Sequence, residues 1–164
     1  VDAVKTYEAK TGLSDSVQKP QVVGTYVFQD ESGVEVYRKE RLEPGRDGKK
    51  KEFRFRNPKG GMSRGGPSVW YQLPKVLQAK SVIICEGEKK CDLLAKWGLV
   101  ATSLDSGANS KITDEHVAQL TGKRLVILPD NDNPGHEYAS LLVRALHGKC
   151  ESLKVVLLPG VPEK

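Results

Sequence analysis

The constraint that most limits the fold is a regular alternation of apolar segments and helical patterns through residues 81–158. Strands are predicted at residues 81–85, 99–104, 124–128 and 153–158, and helices at 88–97, 113–120 and 134–147. Strictly alternating strands and helices, with strands that are apolar on both faces, predict a parallel sheet covered by helices.

The upstream residues follow a different rhythm, because their apolar residues recur every second position. Strands of this type are predicted at residues 23–28, 34–42 and 51–56, separated by turns at 30–33 and 44–48. This pattern predicts an antiparallel meander followed by a short helix at 73–79. The sequence therefore predicts a helix and linker at 1–21, a small β-rich subdomain at 22–79 and an α/β domain at 80–164.

The net charge of +5 is unevenly distributed along the chain. Residues 38–64 contain 11 basic and 4 acidic side chains, an excess of +7, whereas 80–164 are neutral. Such a local field attracts polyanions, although a solvated hairpin would also explain it. The predicted nucleic-acid contacts are Arg38, Arg41, Lys49, Lys50, Lys51, Arg54, Arg56, Lys59, Arg64 and Trp70.

Four aromatic residues lie in or just after this basic segment, namely Phe53, Phe55, Trp70 and Tyr71. Aromatic rings beside positive charge are the usual platform for unpaired bases, so each is a candidate for base stacking. Phe53 and Phe55 alternate with charged residues, and this alternation fits the buried face of a strand equally well.

Acidic residues follow two of the apolar strands directly. Glu86 comes after the strand at 81–85, and Asp130 and Asp132 come after the strand at 124–128. Ligands of open parallel sheets bind beyond the carboxyl ends of the strands. If the two strands are neighbours, these carboxylates converge and need a counterion, for which Mg²⁺ or Mn²⁺ is suited.

Each acidic cluster also has a purely structural interpretation. The segment 86–88 could simply begin a helix, where carboxylates suit the helix dipole. The segment 130–132 could be a turn and helix N-cap. Gly87 and Gly135 fit places where the backbone turns sharply or passes close to a ligand.

Other chemistries are disfavoured by the sequence. The three cysteines lack the CxxC spacing of zinc ribbons, and the three histidines are scattered. No apolar run approaches the roughly 20 residues needed to span a bilayer, so a membrane partner is not expected.

The residues 82–92 (VIICEGEKKCD) together with 128–135 (LPDNDNPG) resemble a TOPRIM domain, most similar to the primase branch of phage, plasmid and mobile-element replication proteins. Upstream, YVF at 26–28, the turn at 30–33 and WYQLP at 70–74 resemble the basic subdomain that precedes TOPRIM in those primases. The resemblance implies a Rossmann-like, mostly parallel sheet flanked by helices, preceded by an antiparallel basic subdomain.

The resemblance also implies roles for individual residues. Glu86 would serve in proton transfer or metal binding, and Asp130 and Asp132 would bind Mg²⁺. Secondary positions are Gly87, Glu88, Lys89 and Asn109. Lys90 could contact a triphosphate or lie on a solvated helix face, and the loop 106–110 could line the site or be a plain connection.

The function implied is that of a DNA primase catalytic core, which makes primers from nucleoside triphosphates on single-stranded DNA in the cytoplasm, at the replication fork, with a replicative helicase as partner. Two alternatives remain open: a TOPRIM nuclease or topoisomerase module, and a non-catalytic nucleic-acid-binding module. The chain lacks the zinc segment usual in primases. A further acidic motif is expected beyond Lys164, so the TOPRIM domain would be truncated.

Overall fold

A computed structural model describes residues 19–158 of the chain. The helix predicted in the first dozen residues lies outside the described residues, as does most of the linker after it. No helix within 19–158 is long and apolar enough to cross a bilayer.

The first sheet is a three-stranded antiparallel meander with strand order β1-β2-β3. Its strands are β1 (Gln21–Gln29), β2 (Glu35–Glu43) and β3 (Glu52–Arg56). The β1–β2 turn is closed by Asp30, whose Oδ1 accepts hydrogen bonds from the N–H groups of Ser32 and Val34, both at 2.9 Å. The predicted meander is confirmed.

The second sheet is parallel throughout, with strand order β5-β4-β6-β7. In chain order the elements are α1 (Leu73–Gln78), β4 (Ser81–Cys85), α2 (Glu88–Ala95), β5 (Ala101–Thr102), a 3-10 turn (Gly107–Asn109), α3 (Asp114–Leu120), β6 (Arg124–Leu128), α4 (Asn133–Leu146) and β7 (Ser152–Val155). The mixed α/β architecture, with helices flanking a parallel sheet, is confirmed.

The largest departure from the predicted elements is β5, which has two residues where the sequence predicts six. The chain leaves the sheet there because the segment before α1 binds it. Thr102 Oγ1 donates to the Tyr71 carbonyl at 2.8 Å, and the Tyr71 N–H donates to the Ser103 carbonyl at 2.9 Å. The backbone of Tyr71 thus takes the place of a longer strand pairing.

The two sheets share one continuous apolar core. Aromatic residues of the first sheet extend this core beyond that sheet. Phe28 stacks on Tyr37 with ring centroids 4.7 Å apart, and its ring centroid lies 5.3 Å from that of Tyr71. Burial of apolar and aromatic side chains contributes most of the favourable free energy that stabilises a small domain. The meander is therefore packed against the parallel sheet through side chains that neither sheet could bury alone.

Candidate active site

The two acids that follow β4 and β6 lie side by side. These strands are neighbours in parallel register, with Cys85 opposite Leu128, so the next residues of each strand leave the sheet at the same edge. The Asp130 N–H donates to Glu86 Oε1 at 2.7 Å. The prediction that the two strands bring Glu86 and Asp130 together is confirmed.

Asp132 is the N-cap of α4. Its Oδ1 accepts a hydrogen bond from the Gly135 N–H at 2.9 Å, which satisfies one of the free donors of the first turn. A Cβ atom at Gly135 would lie 2.4 Å from the Asp130 carbonyl oxygen and 2.5 Å from Glu86 Oε1. Only glycine lets α4 begin this close to the two acids.

Lys90 on α2 forms an ion pair with Asp130 Oδ1. The lysine side chain is 44% exposed and the aspartate side chain 16% exposed. Lys90 is thus partly solvated, but its ammonium group faces the acidic edge of the parallel sheet.

The donors at this edge suit a hard divalent cation. Mg²⁺ in proteins is usually held by one or two carboxylates together with waters and substrate phosphates. Glu86 and Asp130 supply such a pair. The hydrogen bond from the Asp130 N–H to the Glu86 carboxylate holds the two residues next to each other. Within residues 19–158 no group of three or more His, Cys, Asp or Glu side chains is arranged as a metal centre. Two carboxylates would leave the other positions around such an ion to water and to substrate phosphates.

Two further acids at the same edge bind the antiparallel sheet. Lys39 on β2 donates to Glu88 Oε1 at 2.8 Å and Oε2 at 3.2 Å, and to the Asp105 carbonyl at 2.5 Å. Lys39 and Glu88 are both buried. Burial raises the pKa of the Glu88 carboxyl above its usual value, while the Lys39 ammonium acts in the opposite direction.

Asp105 completes this contact between the sheets and is 2% exposed. Its Oδ2 accepts hydrogen bonds from the Tyr37 hydroxyl at 2.8 Å and from Arg64 Nη1 at 2.9 Å, and its Oδ1 accepts one from Ser106 Oγ at 3.0 Å. Burial, with the Asp105 carboxylate as the next cause, raises the pKa of the Tyr37 hydroxyl. The hydroxyl therefore stays protonated and able to donate.

Sequence reasoning missed Tyr37, Lys39 and Asp105 as a connected group. A signal was present, because Tyr37 and Lys39 lie two apart on one strand and so share a face. A lysine on the face that an aromatic residue buries must find a buried acceptor. The acceptors themselves were not predictable, since they lie 49 and 66 residues further along the chain.

A cleft of about 940 Å³ separates the acidic edge from the antiparallel sheet. One wall carries Glu86, Lys90 and Asp130, and the other carries Arg41 and Phe53. Gly87, Glu88, Lys89, Lys51 and Asn109 also line it. Glu86 and Asp130 thus face part of the predicted basic segment across one opening, whereas Asp132 lies at the N-cap of α4.

The predicted nucleic-acid contacts fall into two groups. The arginines pair with carboxylates of the chain: Arg38 with Glu35, Arg41 with Glu43, Arg54 and Arg56 with Glu40, and Arg64 with Asp105. Lys49, Lys50, Lys51 and Lys59 are exposed, and no ion pair joins them to a residue within 19–158. The uncompensated positive charge is therefore concentrated on the lysines.

Trp70 is a correction to the predicted contacts. Its side chain is 0% exposed, and its Nε1 donates to the His116 carbonyl at 3.0 Å. The ring fills the core between the two sheets, so it cannot contact a nucleic acid. Tyr71 is buried as well, and its hydroxyl donates to Asp92 at 2.9 Å.

The 3-10 turn that follows β5 also approaches the acids. A Cβ atom at Gly107 would lie 3.0 Å from the Glu86 carbonyl oxygen, and the residue has a positive φ of 54°. Glycine is favoured there on both counts. Ser106, Gly107 and Asn109 of the loop 106–110 line the cleft, so the loop lies beside the acids.

These features define a class of fold: an α/β core whose parallel sheet presents an acidic edge to a basic antiparallel sheet. A solved structure of the DnaG catalytic core has this fold, with a TM-score of 0.59 and 19% sequence identity. The similarity covers 84% of this chain and 45% of that one, so the chain spans less than half of the solved structure. No family model matches the sequence, and no curated protein matches it.

Proposed function

We propose that this chain carries the catalytic core of a DNA primase of the phage, plasmid or mobile-element type, which joins nucleoside triphosphates on a single-stranded DNA template. The observation that supports the proposal most strongly is the contact between Glu86 and Asp130 at an edge facing a basic sheet. The similarity of fold to the DnaG catalytic core supports it further.

The roles of the residues follow from their positions. Asp130 and Asp132 would hold a divalent cation with help from Glu86, Asp132 from the N-cap position of α4. When bound, Mg²⁺ would supply positive charge to the phosphate oxygens. The 3′-hydroxyl of one nucleotide would attack the α-phosphorus of the next, and pyrophosphate would leave. Glu86 would accept the proton of that hydroxyl.

The remaining residues of the cleft bind and orient. Lys90 and Arg41 would approach the triphosphate from the two walls, and Lys51 would do so from the start of β3. The lysines at 49–51 and Lys59 would hold the template backbone. In phosphoryl transfer a protein acts mainly by positioning the reactants and by stabilising negative charge on the phosphate. These contacts would therefore supply most of the protein's contribution to catalysis.

The test is template-directed synthesis of a dinucleotide by the full chain, with Mg²⁺ or Mn²⁺ and labelled nucleoside triphosphates. Asp130→Asn should reduce the rate by about 100-fold or more, because the site loses a carboxylate facing the developing charge. Asp114→Asn is the matched control, since Asp114 is exposed in the first turn of α3.

Three results would contradict the proposal. The chain could bind single-stranded DNA and make no product under any metal condition. Asp130→Asn could leave the rate of synthesis unchanged. Alternatively, the chain could cleave DNA in a reaction that needs the same acids, which would identify the nuclease alternative instead.

A further inference from the structure

Burial separates the four aromatic residues that the sequence offers for base stacking. Trp70 and Tyr71 are buried, and Phe55 packs edge-on against Tyr37 with centroids 5.9 Å apart. Phe55 and Phe53 both line the cleft, but only Phe53 is exposed, with 38% of its surface open to solvent. The ring of Phe53 is therefore an exposed aromatic surface in a cleft that also carries charged side chains.

One face of the Phe53 ring is covered by a fixed cation. Lys39 Nζ lies over the ring, 4.5 Å from its centroid. The ammonium is held in place by Glu88 and by the Asp105 carbonyl, so it cannot move away when a ligand arrives. Phe53 itself is 38% exposed and lines the cleft, so part of its ring is open to a ligand there.

The surroundings of this open part of the ring favour a ligand that is flat at one end and anionic at the other. Arg41 lies opposite Phe53 in the β2–β3 register, with its Cζ 6.0 Å from the ring centroid. Lys51 lies two residues before Phe53, just ahead of β3, and Lys51 and Lys90 both line the cleft. An aromatic base attached to phosphates has this combination of properties.

We infer that Phe53 is a stacking platform for a nucleobase. The inference rests on the proposed function for the identity of the ligand, and it deepens that function by assigning the base to one ring. The base lies on the cleft face of Phe53, and its phosphates extend toward Lys51, Lys90 and the acids. The base belongs either to a nucleoside triphosphate or to a template strand, and the experiment separates these two sources.

The experiment measures equilibrium binding to the full chain of ATP with Mg²⁺, of a ten-nucleotide single strand, and of inorganic triphosphate. Phe53→Ala should weaken binding of ATP, of the strand, or of both by about 5- to 100-fold, the range expected for one stacked base. Inorganic triphosphate has no base, so its binding should not change. Phe53→Tyr should restore affinity, and Phe53→Leu should restore only part of it.

Trp97→Ala is the matched control. Trp97 is 68% exposed and lies just beyond α2, outside the lining of the cleft. Loss of this exposed ring should leave all three affinities unchanged. A fall in affinity only for ligands with a base, and only at Phe53, identifies stacking rather than a general effect of removing an aromatic side chain.

A spectroscopic measurement gives an independent readout. The chain has two tryptophans, of which Trp70 is buried. Phe53→Trp in a Trp97→Phe background places a single exposed indole in the cleft. Its fluorescence should be quenched by ATP or by the strand, whichever the alanine variant identifies as the source, and not by inorganic triphosphate.

The outcomes distinguish this inference from the proposed function. Unchanged binding of ATP and of the strand in Phe53→Ala overturns the inference, even if the chain makes primers. Equal loss of inorganic triphosphate binding also overturns it, because the ring would then act only through the structure of the site. Base-dependent binding without primer synthesis would support the stacking site and contradict the proposed function.

Discussion

The two sheets of this protein use charge in opposite ways. In the antiparallel sheet, arginines pair with glutamates of the same sheet near the surface, as in Arg54–Glu40 and Arg38–Glu35. In the parallel sheet, the acids near the carboxyl ends of the strands pair with basic side chains from outside that sheet. Buried Glu88 forms an ion pair with Lys39 of the antiparallel sheet. Buried Asp105 forms one with Arg64, which lies in the loop that follows β3.

This difference shows that the net charge of a segment is a poor measure of the field it presents. The excess of +7 at residues 38–64 counts arginines that are already paired within the chain. It also counts Lys39, whose charge is neutralised by the ion pair with Glu88. The positive charge that remains for a polyanion lies mainly on exposed lysines.

The largest effect is expected from breaking the buried pair between the sheets. Lys39→Met or Glu88→Gln should lower the free energy of unfolding by about 3–5 kcal/mol, because the remaining partner stays buried without its counterion. Urea denaturation measures this. The double variant Lys39→Met/Glu88→Leu should recover most of the loss, since it leaves neither charge behind.

The same pair gives a prediction for pH. Burial raises the pKa of Glu88, so the folded state holds a proton at this site more tightly than the unfolded state does. Stability at such a group rises as the pH falls through the raised pKa. In Lys39→Met, which lacks the opposing ammonium, the deficit relative to the unmodified chain should narrow between about pH 7 and about pH 5. A constant deficit across this range would show that Glu88 is not the group left uncompensated.

The second prediction concerns the close approach of α4 to the acids. Gly135→Ala should destabilise the protein by about 1–3 kcal/mol, because a methyl group there meets the Asp130 backbone and the Glu86 carboxylate. Thermal unfolding measures the change. Gly66→Ala is the matched control, since the nearest atom to its Cβ is 3.8 Å away. Equal stability of the two variants would contradict the tight packing described for α4.

The third prediction tests the unpaired lysines. Replacing Lys49, Lys50 and Lys51 together by glutamine should reduce the salt dependence of single-strand binding, with the slope of log K against log salt falling by about 2. A control with the same charge change replaces Lys80, Lys149 and Lys154, which are exposed but lie outside the cleft lining. If both triple variants behave alike, the segment 49–51 has no special part in binding.

The smallest effect is expected at the surface pairs of the antiparallel sheet. Arg46→Gln should change the free energy of unfolding by only a small fraction of the loss in Lys39→Met, because the Arg46 side chain is 67% exposed and exposed ion pairs contribute little. Denaturation under the conditions used for Lys39→Met permits direct comparison. A loss as large as that of the buried pair would remove the distinction between the two sheets.

Much of the fold was predictable because its signals are local. Continuous apolar runs predict β4 and β6 with their observed bounds. The neighbouring positions of Glu86 and Asp130 followed from the rule that parallel strands end at one edge.

What could not be predicted depends on partners distant in sequence. Trp70 follows a basic, glycine-rich segment and its burial arises only when α3 packs beside it. Arg64 was predicted to contact nucleic acid, and its pairing with Asp105 needs a residue 41 positions later. β5 is shorter than its apolar sequence predicts because the competing hydrogen bonds come from Tyr71.

The strand order has a consequence for how the molecule opens. β4 and β6 are interior strands with a neighbour on each side, whereas β3 is at the margin of its own sheet. Amides in the middle of a sheet exchange with solvent only through global unfolding, and those at a margin exchange through small local openings. We therefore expect the slowest hydrogen exchange at Ile84 and Ile127, just behind the acids, and faster exchange along β3. One wall of the cleft thus belongs to the most stable part of the fold, whereas we expect the wall that carries Phe53 to open locally more often.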